Sequence, residues 1–307
     1  MQKSERHLVV AIIVLIAGML LVLLPLYVRA DNARDWQNLP KDTNLIFGYY
    51  NNVHTNTSLD GNLPADGASV DADVYVLRYA HSFDIDGRVS AIQVIQPYAS
   101  VTASLDNAKY LTGSLNHENL GDTQVVFAHN LFGGPALSVE EFKRWQPEMF
   151  LTGALWLTLP TGDYDSDNAI NIGANRWAFK PELAFGVPLG PTWLELNSWV
   201  SFFTDNKDYQ QNSRLEQRPL YTLEGHWSYT LSPALWLSLD SSWTKGGETR
   251  VDGTLQDDEQ ENVLLGGSLG FMLSPRFGGM IAYTDTTHQR DGSPDVTTWS
   301  FRLQYLW

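Results

Sequence analysis

The most constraining feature of this chain is the run that ends it. Thr297, Trp299, Phe301, Leu303, Tyr305 and Trp307 share one parity, and Thr298, Ser300, Arg302 and Gln304 the other, with Leu306 the exception. Successive side chains of a β-strand point to opposite faces, so this run makes a strand with one aromatic, apolar side and one polar side. A soluble sheet would bury the apolar side against a second layer. A strand of a transmembrane barrel turns it to lipid and turns the polar side to a lumen.

The same phase recurs along the chain. Leu151, Leu155, Leu157 and Leu159 alternate with Thr152, Ala154, Trp156 and Thr158. Leu194, Leu196, Val200 and Phe202 alternate with Glu195, Asn197, Trp199 and Ser201. Tyr221, Leu223, Trp227 and Tyr229 alternate with Thr222, Glu224, His226 and Ser228, and Leu235, Leu237, Leu239 and Trp243 with Ser238, Asp240, Ser242 and Thr244. The pattern predicts twelve strands, near 43–54, 71–83, 89–103, 122–132, 147–159, 175–187, 192–204, 218–230, 234–245, 262–273, 276–287 and 296–307. In the third, Ile92, Val94, Ile95 and Val101 do not keep one phase. Pro181 falls inside a strand, where proline removes a ladder hydrogen bond. Gly266, Gly267, Gly270, Gly278 and Gly279 crowd the tenth and eleventh strands.

The connections favour a membrane barrel over a soluble β-sandwich. Tight links occur around Asp84–Arg88, Pro188–Pro191, Ser232-Pro233 and Ser274-Pro275, and long polar links around 55–70, 104–121, 160–174, 205–217, 246–261 and 288–295. They alternate short and long, apart from a longer stretch at 133–146. Outer-membrane barrels have short periplasmic turns and long extracellular loops, and an even strand count puts both termini in the periplasm. The expected fold is therefore an all-β, antiparallel up-and-down transmembrane barrel over 31–307.

Composition agrees where it bears on this choice. The mean hydropathy of −0.21 is near neutral, as expected when lipid-facing and lumen-facing residues alternate. A net charge of −15 argues against nucleic acid as a partner. The absence of cysteine excludes disulfides, thiolate metal sites, a thiol nucleophile and a lipoprotein anchor. Residues 1–30 read as a secretory signal: Lys3 and Arg6, an apolar stretch from Leu8 to Tyr27, and small residues around Ala30. Cleavage is expected after Ala30. The alternative is a retained anchor, because the apolar run of about 20 residues is long enough to span a bilayer.

Particular residues carry a family resemblance over most of 33–307. They are Ala33-Arg34-Asp35 with Thr43-Asn44, Gly121-Asp122, and Leu159-Pro160-Thr161-Gly162-Asp163-Tyr164-Asp165. The most telling run is Asn171-Ile172-Gly173-Ala174-Asn175-Arg176-Trp177-Ala178-Phe179-Lys180-Pro181-Glu182. Phe202-Phe203-Thr204-Asp205-Asn206, Gly246-Gly247 and the terminal aromatic complete it. On these residues the chain resembles the outer-membrane family named for the meta-pathway of phenol degradation, whose members are usually labelled transporters. The resemblance implies an outer-membrane barrel, accounts for Pro181, and suggests passage of hydrophobic or aromatic compounds. It supplies no binding residues.

By phase, the ionisable groups facing the lumen are Arg78, Lys180, Glu182, Glu195, Glu224, His226, Asp240 and Arg302. Charges inside a membrane span point to a pathway or to a structural network that plugs the barrel. Counting outward from a turn centred near Ser232 sets Glu224 opposite Asp240, within about 5 Å at Cβ. His226 and Ser228 would suit a lipid hydrolase only with a third orienting group, and both face away from lipid. Asp163, Asp165 and Asp167 begin a calcium-loop spacing that lacks the glycine and the final acid. Asp257, Asp258, Glu259 and Glu261 read as a solvated loop that could bridge cations to lipopolysaccharide. His54, His81, His117, His129 and His288 show no metal-ligand clustering, and neither metal nor cofactor is expected.

The expected function is outer-membrane uptake of small hydrophobic or aromatic compounds. A non-conducting structural or adhesin-like barrel is the alternative, and an outer-membrane hydrolase stands third. Expected partners are outer-membrane lipid and lipopolysaccharide, the small substrate, and the barrel-insertion machinery. That machinery would read Phe301, Leu303, Tyr305 and Trp307.

Overall fold

Strands form where the alternation runs, and hydrogen bonding closes them into a ring. The computed structural model describes residues 31–58, 67–106, 114–168, 170–210, 212–291 and 293–307; the expected signal segment 1–30 lies outside the described residues. The first strands are β1 (Asn44–Ser58), β2 (Gly67–Ile85), β3 (Arg88–Asp106), β4 (Ser114–Leu120) and β5 (Gln124–Phe132). A one-turn helix α1 (Val139–Phe142) precedes β6 (Phe150–Thr158), β7 (Ala178–Leu189) and β8 (Thr192–Phe203). Then come β9 (Asn206–Tyr209), β10 (Ser213–Gln217), β11 (Leu220–Ser232), β12 (Leu235–Gly246), β13 (Thr249–Val251) and β14 (Thr254–Leu255). β15 (Gln260–Met272), β16 (Phe277–Gln289) and β17 (Asp295–Leu306) finish the chain.

β4 and β5 follow one another along a single position, both pairing with β3, so the sheet is a closed antiparallel barrel of 12 strands. The seam is β1 against β17, in register from Leu45↔Leu306 to Asn56↔Asp295. Closure is what the membrane demands, because an unpaired edge in hydrocarbon leaves backbone groups unsatisfied. The alternation reports the faces correctly: Phe301 is 43% exposed and Arg302 next to it 7%.

The tight turns, the first described residues and Trp307 share one end of the barrel. At that end β2 and β3 join through Asp86 and Gly87, both at positive φ (51° and 77°). Two such residues make a turn whose twist matches the strands. The stretch 133–149 also lies there and carries α1, capped by Ser138 and Glu141 in a capping box.

Four expectations need correction. The fourth strand does not begin near 122: the wall continues through β4 as far as Ser114. The break falls at 121–123, opposite Pro97, where Gly121 N donates to Pro97 O at 2.9 Å. The third strand does keep one phase. Ile92 and Val94 face outward, Ile95 and Val101 inward, and the inner face itself is apolar there. The long links 205–217 and 246–261 are not simple loops, since β14, β13, β10 and β9 form a second small sheet within them. Pro181 pairs normally with Leu155 of β6, but the β7–β8 register has no pairs between Phe179↔Phe202 and Glu182↔Trp199. The missing N–H is therefore absorbed on the β8 side.

Candidate functional site

The lumen is crossed by residues 31–37, which enter from the end carrying the tight turns. Asp35 is the hub. Its Oδ1 accepts from Arg302 NH1 at 2.5 Å, and its Oδ2 lies 3.6 Å from Arg78 NH1. Arg78 also donates to Gln93 Oε1 of β3 at 2.6 Å and to the Tyr49 hydroxyl of β1 at 3.3 Å. Arg34 turns the other way. Its backbone N–H donates to Glu195 Oε2 at 3.0 Å, and its guanidinium donates to Ser228 Oγ at 2.9 Å and Thr230 Oγ1 at 2.8 Å. The same guanidinium sits 4.9 Å from the Trp236 ring centroid.

Lys180 holds the third side. Its ammonium is 3.1 Å from both Asp31 Oδ2 and Glu182 Oε2, and lies between the rings of Trp156 and Trp199, at 3.8 and 4.3 Å from their centroids. Trp36 donates from Nε1 to Glu182 Oε1 at 3.1 Å and meets Trp156 edge-on. Buried charge is tolerated only when paired and hydrogen-bonded. Arg78, Lys180 and Arg302 obtain that partner from one short segment.

All eight ionisable residues expected in the lumen face it, but Glu224 and Asp240 are not opposite one another. Asp240 pairs with His226 and Glu224 with Ser242. The turn lies over Pro233 and Ala234, later than expected, and a bulge between Thr230 and Ser232 takes back one residue, so the register stands two residues from the expected one. A shift of two preserves the face and changes the partner. His226 Nδ1 lies 2.8 Å from Asp240 Oδ1, and its Nε2 is 3.8 Å from Glu224 Oε2. Asp240 Oδ2 accepts from Ser238 and Ser268. Ser228 is held by Arg34 rather than by His226, so these two do not form a nucleophile–base pair.

Beyond the plug the lining changes character. Val53 of β1, Val70, Ala72, Val74 and Val76 of β2, and Ile95, Ala99, Val101 and Ala103 of β3 form one apolar cluster. Val126, Val296 and Trp156 join it, as do Ile170 and Ile172 from the connection 159–177. On β2 these residues share the parity of Arg78, so they are on the inside. A barrel lumen is ordinarily polar. Here its far half is apolar on one wall.

Sequence reasoning did not find the plug. Its residues precede the first strand and have no periodicity, although Ala33-Arg34-Asp35 belongs to the run that carried the resemblance. Phe301, Leu303, Tyr305 and Trp307 are all exposed on the outer face, Trp307 stacking on Tyr305 and reaching Tyr79. His117 Nε2 lies 2.6 Å from Asp163 Oδ2, and the described residues hold no cluster that could bind a metal ion.

The model of the family described as "Putative MetA-pathway of phenol degradation" matches residues 48–302. Among solved structures, the chain is similar to an outer membrane channel from Pseudomonas putida F1, with a TM-score of 0.78 and 22% identity over 91% of this chain and 100% of that one. The translocator domain of the autotransporter NalP from Neisseria meningitidis follows, with a TM-score of 0.53 and 9% identity over 94% of each chain. The β-domain of the Bordetella autotransporter BrkA gives 0.53 and 8%, over 86% of this chain and 99% of that one. No curated protein matches. These likenesses give the outer-membrane barrel as the fold.

Proposed function

The chain belongs to the outer-membrane family of the meta-pathway of phenol degradation, and on that premise we propose that its barrel is a channel for uptake of small hydrophobic or aromatic compounds. The observation that carries the reading is the apolar wall of β1, β2 and β3 inside a lumen. Apolar surface gains by accepting an apolar guest and gains nothing from water or ions. We assign the end with the tight turns, residue 31 and Trp307 to the periplasm, so that a compound meets the apolar wall first and the plug second. Lipopolysaccharide contact along the long connections and recognition of the C-terminal strand by insertion machinery belong to the same reading.

A non-conducting barrel is the second reading, favoured by the plug, in which Asp35 pairs with Arg302 and Arg78, and Asp31 with Lys180. A hydrolase has little support, because Ser228 and His226 are each engaged elsewhere.

Uptake of a small apolar aromatic such as naphthalene, measured in cells with and without the protein, tests the first reading. Uptake should depend on the protein and fall when Val70 and Val101 are changed to Asn with the barrel still folded. Equal uptake with and without the protein sinks it and leaves the structural barrel.

A further inference from the structure

One buried guanidinium at the far mouth of the barrel has no anion. Arg176 lies in the connection 159–177, just before β7, and is 4% exposed. Its NH2 donates to Gln217 Oε1 at 2.5 Å, and its plane covers Phe203, with Cζ 4.6 Å from the ring centroid. NH1 is buried and has no hydrogen-bond partner among the described residues. The nearby acids are already engaged. Asp122 accepts from the backbone N–H groups of Gly162 (2.8 Å) and Ala174 (2.9 Å), and Asp205 is paired with Arg214 at 2.5 Å. Both act on Arg176 only at a distance. Burial lowers its pKa to about 10, which still leaves it charged at neutral pH.

The contrast with the plug is sharp. Arg78, Lys180 and Arg302 each have a carboxylate within 3.6 Å. A buried charge left unpaired is strongly destabilising, so an open N–H edge on Arg176 needs a reason. A second donor stands beside it. Tyr209 lies near it, and burial pushes that phenol up to about 12, so it stays protonated and brings no negative charge of its own. The Tyr209 oxygen accepts from Gln210 Nε2 at 3.2 Å, and among the described residues its own O–H has no acceptor. The apolar wall is close: Ile172, four positions earlier in the same connection, is one of its members.

We propose that Arg176, supported by Tyr209, is an anion-recognition site that takes the carboxylate of an amphipathic molecule whose apolar or aromatic body lies on the inner wall of β1–β3. One guanidinium with no carboxylate in direct contact matches a monoanion, and its planar fork matches a planar carboxylate. This deepens the uptake reading and rests on it. The substrate class becomes apolar or aromatic acids rather than plain hydrocarbons.

The test compares phenylbutyrate, ionised at pH 7, with the neutral phenylbutanol. Both are titrated onto the full chain in nanodiscs, with tryptophan fluorescence as the readout. Wild type should bind the acid about ten-fold or more tightly than the alcohol, the scale of a charge-assisted hydrogen bond in a buried setting. Arg176→Gln should bring the acid down to the affinity of the alcohol and leave the alcohol unchanged. Tyr209→Phe should weaken the acid alone. Equal binding of acid and alcohol by wild type overturns the proposal while sparing the uptake reading, and this comparison needs no variant to fold. A preference retained in Arg176→Gln overturns the assignment to Arg176. Binding of neither probe overturns both.

Discussion

Arg302 NH1 and Asp35 Oδ1 meet at 2.5 Å across 267 positions of sequence, joining the last strand of the barrel to the segment that precedes the first. Arg78 approaches the same carboxylate from β2. One carboxylate is therefore shared by two guanidinium groups on the inner wall and pins the plug across the lumen. Asp35→Ala should leave both without their shared anion, at a cost of about 3–5 kcal/mol for breaking a buried pair. Release of residues 31–37 should accompany it. Single-channel conductance is expected to rise and the melting temperature to fall. A variant with the conductance and melting of wild type would show that the plug is not held this way.

Adjacent residues of β12 should respond oppositely to added charge. Leu239 is 61% exposed on the outer face, whereas Ser238 is inward beside Asp240. Leu239→Lys should cost about 2–4 kcal/mol if it lies near the bilayer midplane. Ser238→Lys puts an ammonium next to a carboxylate and should leave the yield of heat-modifiable barrel close to wild type. Equal losses at the two positions would contradict the assigned faces.

Gly270 of β15 should matter through Trp236 and not through its own backbone. A Cβ added there would lie 2.1 Å from Trp236 Cε2, and Trp236 carries the ring over which Arg34 sits. Gly270→Ala should destabilise by about 1–3 kcal/mol, as overpacking does. The loss should shrink in a Trp236→Ala background. Chemical denaturation of the four proteins gives the coupling, and strict additivity would argue against it.

Trp307 should affect assembly more than stability. It closes the seam through its backbone, exchanging hydrogen bonds with Asn44 at 2.9 and 3.0 Å, while its ring lies on the lipid side. Trp307→Ala keeps the backbone. Folded yield in the outer membrane is expected to drop several-fold, with refolding of purified protein into detergent little changed. Normal yield in cells would remove the C-terminal ring from the assembly address.

Two environments, lipid outside and lumen inside, impose a period of two on every strand, and a period of two can be read from residues alone. Hence Phe301 and Leu303 could be assigned to the outer face, and Arg302, Lys180 and Glu195 to the inner. Turn chemistry such as Asp86-Gly87 then ordered the hairpins. Partners were another matter. Glu224 could not be paired correctly, because sliding β11 by two positions against β12 changes the contact without changing either face. The apolar wall of β3 looked like a loss of phase, because alternation reports a change of side and not which side is apolar. Asp31, Arg34, Asp35 and Trp36 carry no period at all. Their meaning depends on Arg302, Arg78, Lys180 and Glu195 converging on one axis, and only closure of the barrel puts side chains from strands so distant in sequence within reach of one short segment.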